Sequence, residues 1–344
     1  MSEQVIEKRV LGKSGIQVTK IGIGLWAVGG DSWGPTDDRD SLEAIEAALE
    51  AGITFFDTSD AYGDGHSEEL LGQAMKGRRD KFIVATKIGW RGFDGERQQS
   101  AYTTVEALIA GVESNLRRLQ TDYVDVIQDH INFREPHMEI FLEGFQRLQR
   151  AGKVRAYGVS TSDFEYLKAF DADGGCATLQ IDYSMLNRTA ETAVFPYCQA
   201  RNVGVIVRGP LAMGILTGKF GPGSRFPPGD FRRNWQEDAD QHRTYLEDLA
   251  KVERLRPLAQ GRTLAQGRTL AQGRTLAKGC TLAQLALQFV MAHPAVTVTI
   301  PGAKNARQLQ DNVGAALLPP LSSAEMAEID AITPPGGGRK IWPA

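Results

Sequence analysis

Eight apolar runs of strand length, each followed by a longer stretch of helical periodicity, constrain this 344-residue chain more than any other feature. The runs are "KIGIGLW" near Ile21, "ITFFDTS" near Phe55, "FIVATK" ending at Lys87, "VDVIQDH" ending at His130, "VRAYGVS" ending at Ser160, "TLQIDYS" around Gln180, "VGVIVRG" ending at Gly209 and "VTVTIPG" ending at Gly302. Between them, segments such as "SLEAIEAALEAG" from Ser41 and "VEALIAGVESNLRRLQ" from Val105 repeat their apolar positions every three or four residues, the mark of an amphipathic helix. Strict alternation of strands and helices implies a parallel sheet. Eight units in this length favour a closed (β/α)8 barrel in one domain over an open, doubly wound sheet. The open sheet is further disfavoured because no Gly-x-Gly-x-x-Gly joins the first strand to a helix.

One segment breaks the rhythm. From Leu258 to Thr281 the chain reads "LAQGRTLAQGRTLAQGRTLAKGCT", a six-residue unit repeated four times. A glycine in every unit penalises a continuous helix by about 1 kcal/mol each, so a surface insertion at about 258–281 is expected. The C-terminal "PPGGGRKIWPA", about 334–344, is expected to be a flexible tail, with Trp342 the one residue suited to docking.

The composition, 42% hydrophobic and 24% charged, is that of a globular protein, and a net charge of -3 offers no general attraction for nucleic acid or an anionic membrane. The N-terminal "MSEQVIEKRVLG" lacks the apolar centre of a signal peptide, and no run approaches about twenty apolar residues; a cytoplasmic protein is expected. Cys176, Cys198 and Cys280 lie far apart without metal-ligand spacing, so buried apolar roles and no metal are expected. Oligomeric state is left open.

Barrel enzymes build their sites at the C-terminal ends of the strands. The polar residues found there are Asp57 and Tyr62 after the second run, Lys87, His130, Ser160 and Gln180. A phenol with a reference pKa of about 10 is a poor proton donor to a carbonyl oxygen at neutral pH. An ammonium about 4 Å away, at an effective dielectric of about 20, favours the phenolate by up to roughly 4 kcal/mol. Lys87 is the candidate cation, Asp57 the carboxylate that keeps it protonated, and His130 a hydrogen-bond donor to the same oxygen. Taken singly, each has a plainer reading: a capping aspartate, a solvated lysine, a hydrogen-bonded core histidine. Their placement at successive strand ends is what groups them. Glu68 and Glu69 read as first-turn carboxylates of a helix, and His66 as a loop residue.

The stretch "FFDTSDAYGDGHSEELLG" resembles the second-strand signature of the aldo-keto reductase family, and the resemblance runs from "VLGKSGIQVTKIGIGLW" to "IPGAKNARQLQDN". It implies a (β/α)8 barrel, Asp57, Tyr62, Lys87 and His130 as catalytic residues, and reduction of an aldehyde or ketone with Tyr62 as general acid. It implies a nicotinamide cofactor, NADP(H) before NAD(H). By position, Gly24 and Trp26, Ser160, Thr161 and Gln180 would contact it, with Thr161 where the family commonly has asparagine. The stretch from Gly209 through Leu211 and Gly214 to Lys219 would embrace the pyrophosphate. Gly302, Lys304, Gln308, Asp311 and Asn312 match the adenosine-phosphate segment. Arg208 stands where many members stack a tyrosine on nicotinamide; a guanidinium plane can stack, yet its charge opposes the oxidised cofactor, so its role stays open. Trp33 and Trp90, with Trp26, are candidate walls for a small carbonyl or alcohol substrate. The same resemblance leaves open an NAD(P)-dependent alcohol or sugar dehydrogenase, and a cofactor-binding regulatory subunit with little turnover.

Overall fold

The structure, a computed structural model, describes residues 5–30, 33–34, 36–91, 100–130, 138–262 and 279–339. The chain opens with an antiparallel pair, β1 (Lys8–Val10) and β2 (Gln17–Thr19), where sequence alone indicated only a short leading segment. Eight parallel strands follow: β3 (Ile23–Gly24), β4 (Phe55–Asp57), β5 (Ile83–Ile88), β6 (Val124–Asp129), β7 (Val154–Ser160), β8 (Thr178–Asp182), β9 (Gly204–Arg208) and β10 (Val296–Thr299). They pair in chain order from β3 to β10. Each of the eight expected runs supplies one strand, and the expected single (β/α)8 barrel is the observed architecture.

Closure of the ring is a steric matter. Ile21 bridges Thr299 and Gly24 bridges Gly302, both parallel, while the Gly22 amide donates to the Thr299 carbonyl at 2.8 Å. A Cβ on Gly24 would lie 2.8 Å from the Ile300 carbonyl oxygen, and one on Gly22 would lie 2.6 Å from that of Phe55. The alternating glycines of "KIGIGLW" thus let the first barrel strand fit between its neighbours.

The helices begin where capping chemistry places them. Asp37 accepts from the Arg39 amide and starts α1 (Asp38–Glu50) three residues ahead of the apolar pattern. After α2 (His66–Met75), Thr104 caps α3 (Val105–Arg118), and α4 (Met138–Arg150) precedes α5 (Phe164–Phe170), which Asp163 caps. At the opposite end of the barrel from the polar strand termini, Leu11, Ile16 and Val18 pack on Phe55, Ala85, Val126, Ala156, Ile206 and Val298. The β1–β2 hairpin is therefore a plug, and the barrel is accessible from the other mouth.

The repeat begins inside a helix: α6 (Val194–Arg201), α7 (Asn234–Glu237) and α8 (Ala239–Gly261) follow in order, and α8 carries the first unit as far as Gly261 with Ala259 buried. The remainder of the expected insertion, 263–278, lies outside the described residues. The chain resumes with α9 (Leu282–Ala292), α10 (Ala306–Leu317) and α11 (Ser323–Ile332). Of the expected flexible tail, 334–339 is tied to the body: the Gly337 carbonyl accepts from the Arg188 amide at 2.8 Å and Arg339 pairs with buried Asp248 at 2.8 Å. Residues 340–344, including Trp342, lie outside the described residues. No described helix is long and apolar enough to cross a membrane.

The seam predicts that Gly24→Ala lowers stability by about 1–3 kcal/mol, because the added methyl group meets a backbone carbonyl that cannot move without opening the ring. Gly221→Ala, in open space, should be near neutral. Urea denaturation midpoints of the two variants check this.

Candidate functional site

The site is built from β4 and the turn behind it. Asp57 ends the strand fully buried, and the backbone then runs through Thr58, Ser59 and Asp60 into a tight turn, Tyr62–Gly65. That turn needs left-handed backbone at Gly63 (φ 60°), Asp64 (φ 54°) and Gly65 (φ 97°). A Cβ on Gly63 would lie 2.1 Å from the Gly29 carbonyl oxygen, so the turn packs directly on the loop after β3. The reversal aims the phenol of Tyr62 back over the barrel mouth, towards β5.

There Lys87 is wholly buried and spends all three ammonium hydrogens: to Asp57 Oδ1 at 2.7 Å, to the Thr58 carbonyl at 2.8 Å and to the Tyr62 hydroxyl at 3.0 Å. The other oxygen of Asp57 accepts from Gln180 Nε2 at 2.7 Å. Burial alone would lower the ammonium pKa, but the Asp57 charge, with the hydrogen bonds to Asp57 and Tyr62, holds Lys87 above its ordinary value. Burial raises the Asp57 carboxyl, offset in part by Lys87 and Gln180. For half-buried Tyr62, burial also outweighs the pull of Lys87, so its pKa stands above that of a free phenol. The expected lowering by the lysine is present as a contribution but does not set the net direction. Tyr62 is in the proton-carrying form at neutral pH.

His130 follows β6. Its ring centre lies 5.9 Å from that of Tyr62 in an edge-to-face arrangement, and its Nδ1 lies 3.0 Å from Ser59 Oγ. Burial, then the charges of Lys87 and Arg208, hold its pKa well below the ordinary histidine value, so the ring is neutral. Behind Lys87, a second buried network locks its strand: Glu68 accepts from Thr86 at 2.5 Å and from Arg118 at 2.7 Å, and Asn115 donates to the Lys87 carbonyl at 3.2 Å. Glu68 does lie in the first turn of α2, yet it is wholly buried, which its helical position alone did not indicate.

Aromatic rings line one side of the mouth. Trp26 stacks near Tyr62 at 6.1 Å and near Phe231 at 5.8 Å, and Trp33 meets both Trp26 and Phe231 edge-on at 5.1 Å. Trp90, 41% exposed, sits 6.3 Å from His130. Phe231 was not expected here, since it comes from the long segment after β9 whose path no periodicity reveals.

Ser160 and Thr161 are buried at the end of β7, where the Thr161 hydroxyl already accepts from the Asp163 amide at 2.9 Å. Arg208 ends β9 and donates to Ser162 Oγ at 3.1 Å. Beyond it, the turn through Leu211 and Gly214 has left-handed backbone at Gly209 and Gly214, and exposed Lys219 follows. Lys304 donates to the Trp33 carbonyl at 2.6 Å, and its amide donates to Gln308 Oε1. Asn312 is buried and donates to the Gly302 carbonyl, whereas Asp311 is exposed. Arg232, half of an ion pair with Asp230 at 2.5 Å and lying 4.9 Å from the Trp33 ring centre, is a further cation that sequence reading missed. Burial, then Arg232, lowers the ammonium pKa of both Lys219 and Lys304. Three cations therefore face one carboxylate, an arrangement that suits a multivalent anion.

A barrel with this polar mouth matches known proteins throughout. The aldo/keto reductase family model covers residues 20–334, and the chain belongs to that family as an oxidoreductase. It is 34% identical to Aldo-keto reductase YhdN of Bacillus subtilis (strain 168) over 309 residues, 89% of this chain and 87% of that protein. A glycerol dehydrogenase from Gluconobacter oxydans superposes with a TM-score of 0.75 at 28% identity, covering 100% of this chain and 99% of the other. An aldo-keto reductase from Klebsiella pneumoniae in complex with NADPH superposes with a TM-score of 0.68 at 26% identity, covering 96% of each chain.

Asp60 adds a pH dependence. Its carboxyl is pushed up to about 7 by burial and by the neighbouring Glu68 charge. A carboxyl raised in the folded state binds more protons there than in the unfolded chain, so its contribution to stability is complete below about pH 4 and is lost as pH rises through about 7. Asp60→Asn should therefore gain stability relative to the natural protein on going from pH 5 to pH 8, by at most about 3 kcal/mol. Urea unfolding at the two pH values measures the difference; equal values at both would refute it.

Proposed function

We propose that this protein reduces an aldehyde or ketone, with NADPH as the hydride donor and Tyr62 as the proton donor. The observation that carries the reading is one buried ammonium bonded at once to a carboxylate and to a phenol, Lys87 to Asp57 and Tyr62. Tyr62 carries its proton at neutral pH, as a general acid must. Once that proton moves to a carbonyl oxygen, the phenolate left behind lies 3.0 Å from Lys87 Nζ, which stabilises it in a site shielded from bulk water. Asp57 keeps the cation charged and, gripped by Gln180, keeps it in place. His130, neutral and beside the phenol, orients the substrate oxygen.

The residues present fit a nicotinamide dinucleotide phosphate. Ser160, Thr161 and Gln180 would hold the nicotinamide amide, with Gly24 and Trp26 beside them and Arg208 against the ring. The backbone from Gly209 to Lys219 would follow the pyrophosphate, and Lys304 with Gln308 would take the 2′-phosphate side, where the Lys219, Arg232 and Lys304 cations already crowd one another. When bound, the cofactor supplies the hydride that adds to the carbonyl carbon. NADPH binding by the Klebsiella relative supports NADP(H) over NAD(H). The aromatic wall of Trp26, Trp33, Phe231 and Trp90 favours substrates with an apolar group next to the carbonyl.

The same groups run the reaction in reverse, and the close superposition with a glycerol dehydrogenase favours testing alcohol oxidation as a second reading. Steady-state rates in both directions, with both cofactors and a panel of aldehydes, ketones and polyols, decide between them. Tyr62→Phe should lower kcat for carbonyl reduction by about 10²–10⁴-fold while leaving cofactor binding, read by quenching of protein fluorescence, little changed. A variant as active as the natural protein would overturn the assignment of Tyr62.

A further inference from the structure

Ser59 sits between two groups that compete for its single hydroxyl hydrogen. Its Oγ is 3.1 Å from Asp60 Oδ1 on one side and 3.0 Å from His130 Nδ1 on the other. The Ala61 amide donates to the same oxygen at 3.1 Å and takes one lone pair. One hydrogen and one lone pair remain for two neighbours. An ionised Asp60 accepts only, so it claims the Ser59 hydrogen; the remaining lone pair then accepts from His130 Nδ1–H, and Nε2 of a neutral ring carries no hydrogen. Protonated on Oδ1, the oxygen that faces Ser59, Asp60 donates to Ser59, which turns its hydrogen to Nδ1, and the ring proton moves to Nε2.

We infer that Asp60, acting through Ser59, sets which nitrogen of His130 carries the proton, and so whether the ring offers substrate a hydrogen-bond donor or an acceptor. Asp60 and Ser59 are positioning residues, and the consequence for substrate rests on the proposed reading of His130. Asp60 is 1% exposed, and its Oδ2 is buried with no hydrogen-bond partner among the described residues, so the ionised carboxylate is poorly compensated and the neutral acid, with its proton on Oδ1 towards Ser59, is favoured. The charged and titratable groups around it are Glu68 on α2, which opposes ionisation, Arg118 on α3, which favours it, and Tyr102 just before α3, with Arg91 after β5 close to both Glu68 and Tyr102. Those around His130 are Lys87, Arg208 and Tyr62, and the two cations keep the ring neutral throughout. With the Asp60 carboxyl pushed up to about 7, the exchange falls near neutral pH. In the low-pH state Nε2–H assists a carbonyl; in the high-pH state bare Nε2 accepts from an alcohol. One network thereby biases reduction or oxidation according to pH.

The test is ¹⁵N NMR of the full chain labelled at its five histidines, with His130 assigned by its loss in His130→Gln. From about pH 9 down to about pH 5, the natural protein should pass from Nδ1–H to Nε2–H, without becoming doubly protonated. Asp60→Asn and Ser59→Ala should each abolish that transition. In parallel, kcat/KM for reduction should rise by about 10²-fold across the same pH interval in the natural protein and be flat in both variants. A ring that keeps one tautomer throughout, or that still switches in Ser59→Ala, overturns the inference even if carbonyls are reduced. A ring that switches as expected in a protein that turns over no carbonyl leaves the relay standing and overturns the proposed function instead.

Discussion

A lysine ammonium with no exposure to solvent is the constraint on which this site depends. Taking an ion of that size out of water costs several kcal/mol even after relaxation, and the interior returns it only where partners are already fixed. Lys87 has three, each delivered by backbone geometry: Asp57 and the Thr58 carbonyl from the end of β4, and the Tyr62 hydroxyl from the turn beyond. Were the turn to relax, the lysine would lose a partner and the phenol its cation. The left-handed conformations at Gly63, Asp64 and Gly65 are thus retained because a buried charge stands behind them.

The layers around that interaction are themselves charged and buried. Gln180 holds the outer oxygen of Asp57, and Asn115 holds the carbonyl of Lys87 from α3. Arg118 links Asn115 to Glu68, joining α2, α3 and β5 behind the site. Such networks contribute little net stability against an apolar core, but removing one partner leaves an uncompensated charge, at a cost of about 3–5 kcal/mol. Their effect is to permit one arrangement of strand ends and few others. The hairpin plug at the far end works in the opposite currency, sealing the barrel with Leu11, Ile16 and Val18, so that polar chemistry is confined to one mouth.

Much of this was legible beforehand because strand period and strand ends are local properties. Each of the eight apolar runs became a barrel strand, and the polar residues at the ends of the second to sixth runs marked one mouth. Asp57, Tyr62 and Lys87 were grouped on that ground, and the structure bonds them directly. What stayed hidden has a common cause: it depends on partners distant in the chain. Gln180, expected to contact cofactor, also donates an amide hydrogen to Asp57, 123 residues away. Arg232 and Phe231 arrive at the rim from a segment without periodicity. Tyr62 has a raised pKa, since how much water a phenol keeps depends on the walls around it.

The amino-acid order by itself determined the strand count, the closing glycines Gly22 and Gly24, the caps that start the helices and the set of reactive groups carried at one end. These follow from the side chain and its near neighbours. Only the folded chain decided the balance of burial against charge, which fixes proton positions at Asp60, Tyr62, Lys87 and His130. The reason is that desolvation and Coulomb energies are sums over everything within several ångströms, and that surrounding is assembled from strands and helices far apart in the chain.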